Sequence, residues 1–182
     1  MIIIFLGIPG SGKGTQAKKI SRKAGIPYVG TGEILRENIE KMSPLGIKVK
    51  DILDAGRLVD DATMLSLVEQ AVKDKESFIL DGMPRTVPQA EGICGIFSKY
   101  GKKLDCVLFL DVLDEEVIKR MLLRGRGDDT EETIKERLSE YRKKTAPVRE
   151  YYEKTGLLKN IDGTGNVSEI FARIENALNG KN

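Results

Sequence analysis

The residues whose types and spacing point most directly to chemistry lie in a glycine-rich loop near the start of the sequence. Four glycines between positions 7 and 14 surround Lys13, and Thr15 follows. Glycine permits a positive φ angle and a close approach of the backbone, so several N–H groups of such a loop can converge on one anion. The lysine adds a mobile positive charge suited to terminal phosphates. The spacing therefore predicts a phosphate-binding loop.

This loop departs at one position from the general pattern G-x-x-x-x-G-K-[S/T]. Residues Gly7 to Lys13 fit, but Gly14 stands where a hydroxyl residue is expected, and Thr15 comes one position later. If Thr15 does not reach the metal ion, Mg²⁺ is held more through water and nucleotide oxygens, which it tolerates because it dehydrates reluctantly. A glycine-rich turn that binds nothing is the alternative interpretation.

A carboxylate and an arginine follow a second apolar segment. Residues 77–81 read Ser-Phe-Ile-Leu-Asp, and Gly-Met-Pro then leads to Arg85. An apolar strand that ends in aspartate is the expected partner of a phosphate loop, so Asp81 is predicted to act on Mg²⁺ through water. Capping of a helix or turn is the alternative role for this aspartate.

Arginines stand at several positions where the chain is predicted to turn or where a helix ends. They are Arg36, Arg85, Arg120, Arg124, Arg126 and Arg137. Phosphoryl transfer needs positive charge on the developing oxygens more than covalent help from the protein, and these side chains supply it. A single arginine on a helix surface is usually only solvated. Arg85 is harder to explain in that way, because a strand, an aspartate, a glycine and a proline precede it.

The strands and helices that must position these residues alternate along the chain. Five apolar segments are predicted as strands: the run before Gly7, Tyr28–Val29, Ser77–Asp81, Asp105–Asp111 and Leu157–Ile161. The segments between them have helical spacing, including one long helix from Thr130 to about Glu153. This alternation predicts an α/β fold with a five-stranded parallel sheet and helices on both faces. Ligands of such folds lie beyond the carboxyl ends of the strands.

The length of the chain suits one domain over residues 1–182. Residues 30–59 carry two short helices between a strand and a core helix, which makes them a candidate subdomain, and Thr31 is expected to cap the first of these helices. The core is then assigned to residues 1–29, 60–123 and 130–182, and residues 124–129 form a short connecting turn.

Composition excludes several classes of protein. Charged residues make up 32% of the chain, yet the net charge is only +2 and aromatic residues are 5%, so no surface for nucleic acid is expected. The apolar start is too short for a signal peptide, and no segment reaches membrane-spanning length, so we expect a cytoplasmic protein without a membrane partner. Cys94 and Cys106 are expected to be buried thiols, and the absence of histidine excludes a Ser-His triad.

Several motifs, in order along nearly the whole chain, resemble those of the adenylate kinases in the nucleoside monophosphate kinase family. The phosphate loop of this family is similar to residues 7–16, including Gly14 before Thr15. Residues 31–36, the segment 81–86 with Gln89, the arginines from 120 to 137 with Asp128 and Asp129, and residues 162–164 resemble further family motifs. The resemblance implies a fold like that of the P-loop NTPases, the reaction ATP + AMP ⇌ 2 ADP, and Mg²⁺ as cofactor. We expect a monomer, because nothing in the sequence demands a larger assembly.

The resemblance also implies a role for each matching residue. ATP would be bound by Gly10, Ser11, Gly12, Lys13, Gly14, Thr15, Arg120, Arg124 and the backbone at Gly165. AMP would be bound by Thr31, Arg36, Arg57, Leu58, Val59, Gly82, Met83, Pro84, Arg85, Gln89, Arg126 and Arg137. Catalysis would depend on Lys13, Arg85, Arg124, Arg126 and Arg137, with Asp81 acting on Mg²⁺ through water. Gln89 also suits adenine by its own chemistry, because an amide offers a donor and an acceptor together.

One departure from the family pattern is large. Many members carry a long lid insertion, often with a cysteine zinc site, whereas only one glycine separates Arg124 from Arg126 here and no cysteine lies nearby. The chain therefore resembles the short-lid members, with a lid reduced to residues 124–129, a monophosphate-binding excursion at 30–59, and no zinc.

Two alternatives to an adenylate kinase remain open. A UMP/CMP kinase has the same fold and chemistry, although Thr31 and Gln89 favour AMP. A nucleotide-dependent switch protein belongs to another class. It would need a water-positioning residue and an exposed apolar surface for a partner, and the sequence pattern indicates neither.

Overall fold

A computed structural model describes residues 1–125 and 129–180, and every statement about the fold concerns these residues. Five strands form one parallel sheet in the order β2-β3-β1-β4-β5: β1 (Ile2–Gly7), β2 (Tyr28–Gly30), β3 (Phe78–Asp81), β4 (Cys106–Asp111) and β5 (Leu158–Asp162). The described helices are α1 (Lys13–Ala24), α2 (Thr31–Glu40), α3 (Pro44–Asp54), α4 (Asp61–Val72), α5 (Val87–Lys99), α6 (Asp114–Arg124), α7 (Glu131–Glu140), α8 (Ala146–Lys154) and α9 (Val167–Leu178). The predicted five-stranded α/β fold is confirmed.

The central strand β1 determines where ligands can bind. It pairs with β3 on one side and with β4 on the other, with Phe5 opposite Asp81 and Gly7 opposite Leu110. The chain leaves β1 between the ends of its two neighbours, which is the point where the order of connections reverses and where parallel sheets bind ligands. Lys13 and Asp81 therefore meet at one edge of the sheet.

Both faces of β1 are buried, as its uninterrupted apolar sequence indicates. Ile4 faces a core that includes Val68 of α4 and Ile93 of α5, while Phe5 faces the opposite core with Ile174 of α9. Burying a side chain of this size stabilises the fold by about 1.5–3 kcal/mol. These two cores make the sheet a rigid base for the loops at its carboxyl edge.

The long helix expected from Thr130 to Glu153 is divided by a π-helical turn, Tyr141–Thr145, between α7 and α8. Pro147 explains the interruption, because proline has no N–H to donate and its ring crowds the carbonyl group one turn earlier. Thr130 caps the start of α7, since its hydroxyl accepts from the Thr133 N–H. The wide turn brings the Thr145 hydroxyl to the Arg85 carbonyl, 2.9 Å away.

Two expectations about the surface are wrong: that both cysteines are buried, and that the chain has no exposed apolar surface. Cys106 is buried, but Cys94 is exposed because it lies on the outer side of α5. Apolar side chains are also exposed along α6 and just before it, where only Val117 and Met121 face the core. They are Leu113, Ile118, Leu122 and Leu123.

No helix in the described ranges is long and apolar enough to cross a membrane. Helices α2 and α3 pack against each other within the segment assigned to the excursion. The division of the chain into core, excursion and lid stays a prediction.

Candidate active site

A cleft of about 720 Å³ opens at the carboxyl edge of the sheet. It brings together most residues that the sequence assigned to a site: Gly10, Gly12, Lys13, Gly14, Thr15, Thr31, Arg36, Arg57, Leu58, Val59, Asp81, Gly82, Arg85, Gln89, Arg120, Arg124, Arg137 and Gly165.

Three of the described residues assigned to the site do not line this cleft. The side chains of Ser11 and Met83 are buried beneath it, and Pro84 borders a smaller cavity behind it. Arg126 lies outside the described residues.

The glycine loop adopts the conformation that a phosphate cradle requires. Gly10 and Gly12 have φ angles of +85° and +93°, and a Cβ atom at Gly10 would lie 2.8 Å from the Val117 carbonyl oxygen. A side chain at Gly10 would be strained by the positive φ angle and would clash with this carbonyl oxygen, whereas glycine adopts the conformation at little cost in free energy. Helix α1 begins at Lys13, so its N-terminus and the loop N–H groups lie beside the cleft.

Lys13 is held by the loop itself. Its ammonium donates to the carbonyl oxygens of Gly7 and Ile8 at 2.7 and 2.8 Å, and to the hydroxyl oxygen of Ser11 at 3.3 Å. Burial lowers the pKa of Lys13 to about 8, Asp81 opposes this shift, and Arg85 adds to it. An anionic ligand in the cleft would therefore stabilise the charged form of Lys13.

Asp81 ends β3 next to the phosphate loop. A Cβ atom at Gly14 would lie 3.1 Å from Asp81 Oδ2, so the carboxylate borders the first turn of α1. The Thr31 hydroxyl donates to the Asp81 carbonyl oxygen at 3.3 Å. Thr31 does not cap α2 as expected, because the helix already begins at this residue and Gly30 occupies the cap position.

Tyr28 is a site residue that sequence reasoning missed. Its hydroxyl donates to Asp81 Oδ2 at 2.9 Å, and the ring lines the cleft. Burial raises the pKa of Tyr28, and the neighbouring Asp81 carboxylate raises it further. A signal was present in the sequence: a tyrosine two positions before Gly30, in a strand that ends at the ligand edge of the sheet.

The residues around Asp81 fit a magnesium ion only if the nucleotide completes its coordination shell. No group of three or more His, Cys, Asp or Glu side chains within the described ranges could hold a metal ion. Asp81 offers a hard oxygen ligand, and Oδ1 is not engaged in a hydrogen bond with any described residue. Mg²⁺ commonly binds through one carboxylate, water and substrate phosphates, and this donor set agrees with that mode.

Arg85 lines the cleft and is fixed by its own loop. Its Nε donates to the Gly82 carbonyl oxygen at 2.8 Å. Burial lowers the pKa of Arg85, Asp81 opposes the shift, and the positive charges of Arg137 and Arg36 add to it. The guanidinium group remains charged, since arginine does not lose its proton in proteins. Arg36 and Arg137 are both close enough to repel Arg85, so an anionic group beside Arg85 would be favoured.

Gln89 is 1% exposed, and its carboxamide orientation is fixed by protein contacts. Oε1 accepts from the Arg85 N–H at 2.7 Å, and Nε2 donates to Asp61 Oδ1 at 2.7 Å. Asp61, the first residue of α4, also accepts from the Thr86 hydroxyl at 3.1 Å. One N–H and one lone pair of the Gln89 amide remain for a ligand.

Arg120 links the phosphate loop to the loop after β5. Its guanidinium donates to the carbonyl oxygens of Ser11 at 3.3 Å and Gly163 at 3.1 Å, and to Glu116 Oε1 at 2.8 Å. Gly165 lines the cleft in the same region. The two positions predicted to contact the ATP base therefore lie on one side of the cleft, next to the phosphate loop.

Arg124 and Arg137 share one carboxylate. Arg124 donates to both oxygens of Asp129, at 2.8 and 2.7 Å, and Arg137 donates to Oδ1 at 2.9 Å. The Asp129 side chain is shielded from solvent. The two predicted phosphate clamps are thus oriented by an internal anion at the junction of α6 and α7.

A family model described as adenylate kinase matches residues 5–157 of the chain. A protein named adenylate kinase from Mycobacteroides abscessus is 45% identical over 181 residues, which cover 98% of this chain and 99% of the relative. One from Thermus thermophilus is 43% identical over 180 residues, with coverage of 97% and 96%.

A third relative, an adenylate kinase from Carboxydothermus hydrogenoformans, is 38% identical and covers 98% and 99% of the two chains. Its alignment spans 212 positions, more than the 182 residues of this chain, so it carries segments that this chain lacks. All three proteins match this chain along almost its full length.

Proposed function

Because the chain belongs to the adenylate kinase family, we propose that it transfers a phosphoryl group reversibly from ATP to AMP and so forms two ADP molecules. The observation that carries this proposal is a single cleft that joins a phosphate loop, a cluster of cationic side chains and the buried amide of Gln89. A protein that only hydrolyses ATP needs one nucleotide site, whereas this cleft has residues suited to two.

ATP is proposed to bind on the side of α1. The N–H groups of residues 10–15 would surround its phosphates, and Lys13 would leave the carbonyl oxygens of Gly7 and Ile8 to contact the terminal phosphate. Arg120 would lie against the base, since it already joins the phosphate loop to the loop before Gly165.

AMP is proposed to bind between Thr31 and Gln89. The remaining N–H and lone pair of the Gln89 amide suit the edge of adenine, which offers an amino group and a ring nitrogen. Arg36 and Arg85 would bind the monophosphate, together with the segment 57–59 that lines the same part of the cleft. The backbone at Gly82 is close enough to this pocket to contact the nucleotide.

The catalytic contribution of the chain is alignment and electrostatic stabilisation. Lys13, Arg85, Arg124 and Arg137 would place positive charge on the oxygens of the transferred group as the donor and acceptor come into line. No general base is required to accept a proton, because the attacking monophosphate is already an anion. Mg²⁺, when bound with ATP, would offset phosphate charge, and Asp81 would orient its water ligands.

The protein is proposed to act as a monomer in the cytoplasm. One chain supplies the phosphate loop, the arginines and Gln89, so a second copy is not needed to complete the cleft. Both thiols are free, which agrees with a reducing compartment.

A coupled assay with ATP and AMP, UMP or CMP in turn tests the proposed reaction. We expect AMP to have the highest kcat/KM. A bisubstrate analogue that joins two adenosines through a phosphate chain should inhibit and should raise Tm. Faster turnover of UMP or CMP would favour a pyrimidine nucleotide kinase, and slow ATP hydrolysis without transfer to any monophosphate would favour a switch protein.

A further inference from the structure

Tyr28 and Gly30 lie together at the cleft, and the proposed reaction assigns no role to either residue. We propose that Tyr28 is a positioning residue for Asp81: its hydroxyl holds one carboxylate oxygen so that the other faces the metal–nucleotide complex. This inference rests on the proposed function, because it concerns the metal ion that accompanies ATP.

The pairing of β2 with β3 determines how Tyr28 reaches Asp81. Gly30 is opposite Asp81, and Tyr28 is opposite Ile79. Residues two apart in a strand face the same side of the sheet, so the tyrosine ring must pass over Gly30 to reach the diagonal neighbour. An aromatic side chain spans this distance, and the hydroxyl stands 2.9 Å from Asp81 Oδ2.

Gly30 leaves the space that the ring occupies. A Cβ atom here would lie 2.6 Å from both Cε1 and Cζ of Tyr28 and closer still to the hydroxyl oxygen, nearer than real Cβ atoms approach other atoms. The backbone itself does not require glycine, since φ is −99° and ψ is 100°, an extended conformation that any residue adopts. Clearance for the tyrosine therefore accounts for the glycine.

Neighbouring side chains also hold the Tyr28 ring in place. The Lys18 ammonium lies 5.3 Å from the ring centroid, within the range of a cation–π contact. Lys18 is itself paired with Glu33 at 2.6 Å. A phenol with a fixed ring donates from a fixed point, which limits rotation of the carboxylate that accepts from it.

The two oxygens of Asp81 consequently differ in what they can do. Oδ2 accepts from Tyr28, while Oδ1 has no hydrogen bond to the described residues and belongs to a side chain that lines the cleft. A partner that fixes a carboxylate near a metal ion strengthens metal binding, and its loss typically lowers affinity about 10–100-fold. Tyr28 has the chemistry and the position of such a partner.

Tyr28→Phe tests the inference, because it removes the hydroxyl and keeps the ring. Mn²⁺ serves as the probe, and the EPR signal of free Mn²⁺ measures its affinity for the enzyme with a non-hydrolysable ATP analogue. We expect Mn²⁺ affinity to fall roughly 10-fold, at the lower end of the range for such partners. The affinity of this variant for the analogue without metal should stay unchanged. Its kcat should fall, and its KM for AMP should not change.

Two further variants and a control complete the experiment. Asp81→Asn should weaken Mn²⁺ binding at least as much, and the double variant should lose no more than Asp81→Asn alone. Gly30→Ala should weaken it with the hydroxyl still present, because the new Cβ displaces the ring. Tyr152→Phe is the matched control, since its buried hydroxyl has no partner among the described residues; it should bind Mn²⁺ like the wild type.

Wild-type Mn²⁺ affinity in Tyr28→Phe would overturn the inference, as would an equal loss of analogue affinity with and without metal. Either result leaves the proposed reaction intact, because turnover of ATP with AMP by the wild type is measured separately. Absence of that turnover would instead contradict the proposed function.

Discussion

Lys13 occupies a position that differs from the one phosphoryl transfer requires. Its ammonium donates to two backbone carbonyl oxygens and to Ser11, all within the glycine loop. These contacts partly compensate burial, but they do not replace solvation fully, and the pKa falls from the ordinary 10.5 to about 8. A phosphate that takes over from the carbonyl groups would restore the charged form.

The pKa of Lys13 predicts a pH dependence of ATP binding. Below pH 8 the ammonium is mostly charged before binding; above pH 8 it is mostly neutral, so ATP binding must take up a proton. We expect little uptake at pH 7, more at pH 9, and weaker ATP affinity as pH rises past 8. Calorimetry in buffers with different ionisation heats measures the uptake. Lys13→Arg, which stays charged, should lack the difference, and equal uptake in both proteins would contradict this assignment.

Arg85 is expected to act mainly in the transition state. Its guanidinium lines the cleft near Asp81, Arg36 and Arg137. Removing one donor to a developing charge typically lowers kcat by about 10²–10³, so Arg85→Ala should lose this much kcat and raise the KM for AMP far less. Arg85→Lys should fall between, because it keeps the charge but not the planar fork. Steady-state kinetics decides, and a change confined to KM would refute the role.

At the scale of elements, the junction of α6 and α7 depends on Asp129. This shielded carboxylate accepts from Arg124 at the end of α6 and from Arg137 within α7. The π-helical turn after α7 has a similar effect on Arg85, because it brings the Thr145 hydroxyl to the Arg85 carbonyl oxygen. Irregular segments of the backbone thus position three of the arginines that are proposed to act on phosphate.

Asp129→Asn should destabilise the nucleotide-free protein. The amide keeps the shape of the side chain but removes the negative charge that Arg124 and Arg137 share, at a cost of about 1–3 kcal/mol in the free energy of unfolding. Asp114→Asn is the matched control, because it removes an exposed pair between α6 and Arg142 of the π-helical turn and should cost under about 1 kcal/mol. Urea unfolding measures both, and equal losses would show that burial of Asp129 is unimportant.

At the scale of the whole molecule, the chain has little material to cover ATP. Only residues 125–130 lie between α6 and α7, whereas the alignment with the Carboxydothermus hydrogenoformans relative is longer than this chain. Lids exclude water from the reacting phosphates and complete the site when they close. A shorter cover leaves the terminal phosphate more accessible to water.

ATP hydrolysis without AMP should therefore be faster than in the Carboxydothermus hydrogenoformans relative. Release of ADP from ATP alone, divided by kcat for the transfer reaction, is the quantity to compare. The Mycobacteroides abscessus relative, which aligns over 181 residues, is the control and should resemble this chain. A hydrolysis rate no greater than that of the longer relative would contradict the prediction that a shorter lid admits more water.

Local patterns in the sequence were enough to predict the sheet, the helices and the phosphate loop. Apolar runs, glycines and the end of a strand act over a few residues, so Lys13 and Asp81 could be placed at one edge before any coordinates. The same patterns assigned Thr31 a cap and continued one helix past Pro147, although the effect of a proline on its own helix was readable in the sequence. Cys94 was placed in the core because its neighbours are apolar, but the face of α5 that it occupies points outward.

Only the tertiary structure decided which side chains hold one another. The reach of Tyr28 to Asp81, of Gln89 to Asp61 and of two arginines to Asp129 depends on elements far apart along the chain. Their contacts follow from strand order, register and helix packing, which no short pattern encodes. The sequence by itself determined a glycine loop whose residue types suit a phosphate, and the packing of the sheet and helices decided which neighbours orient the groups around that loop.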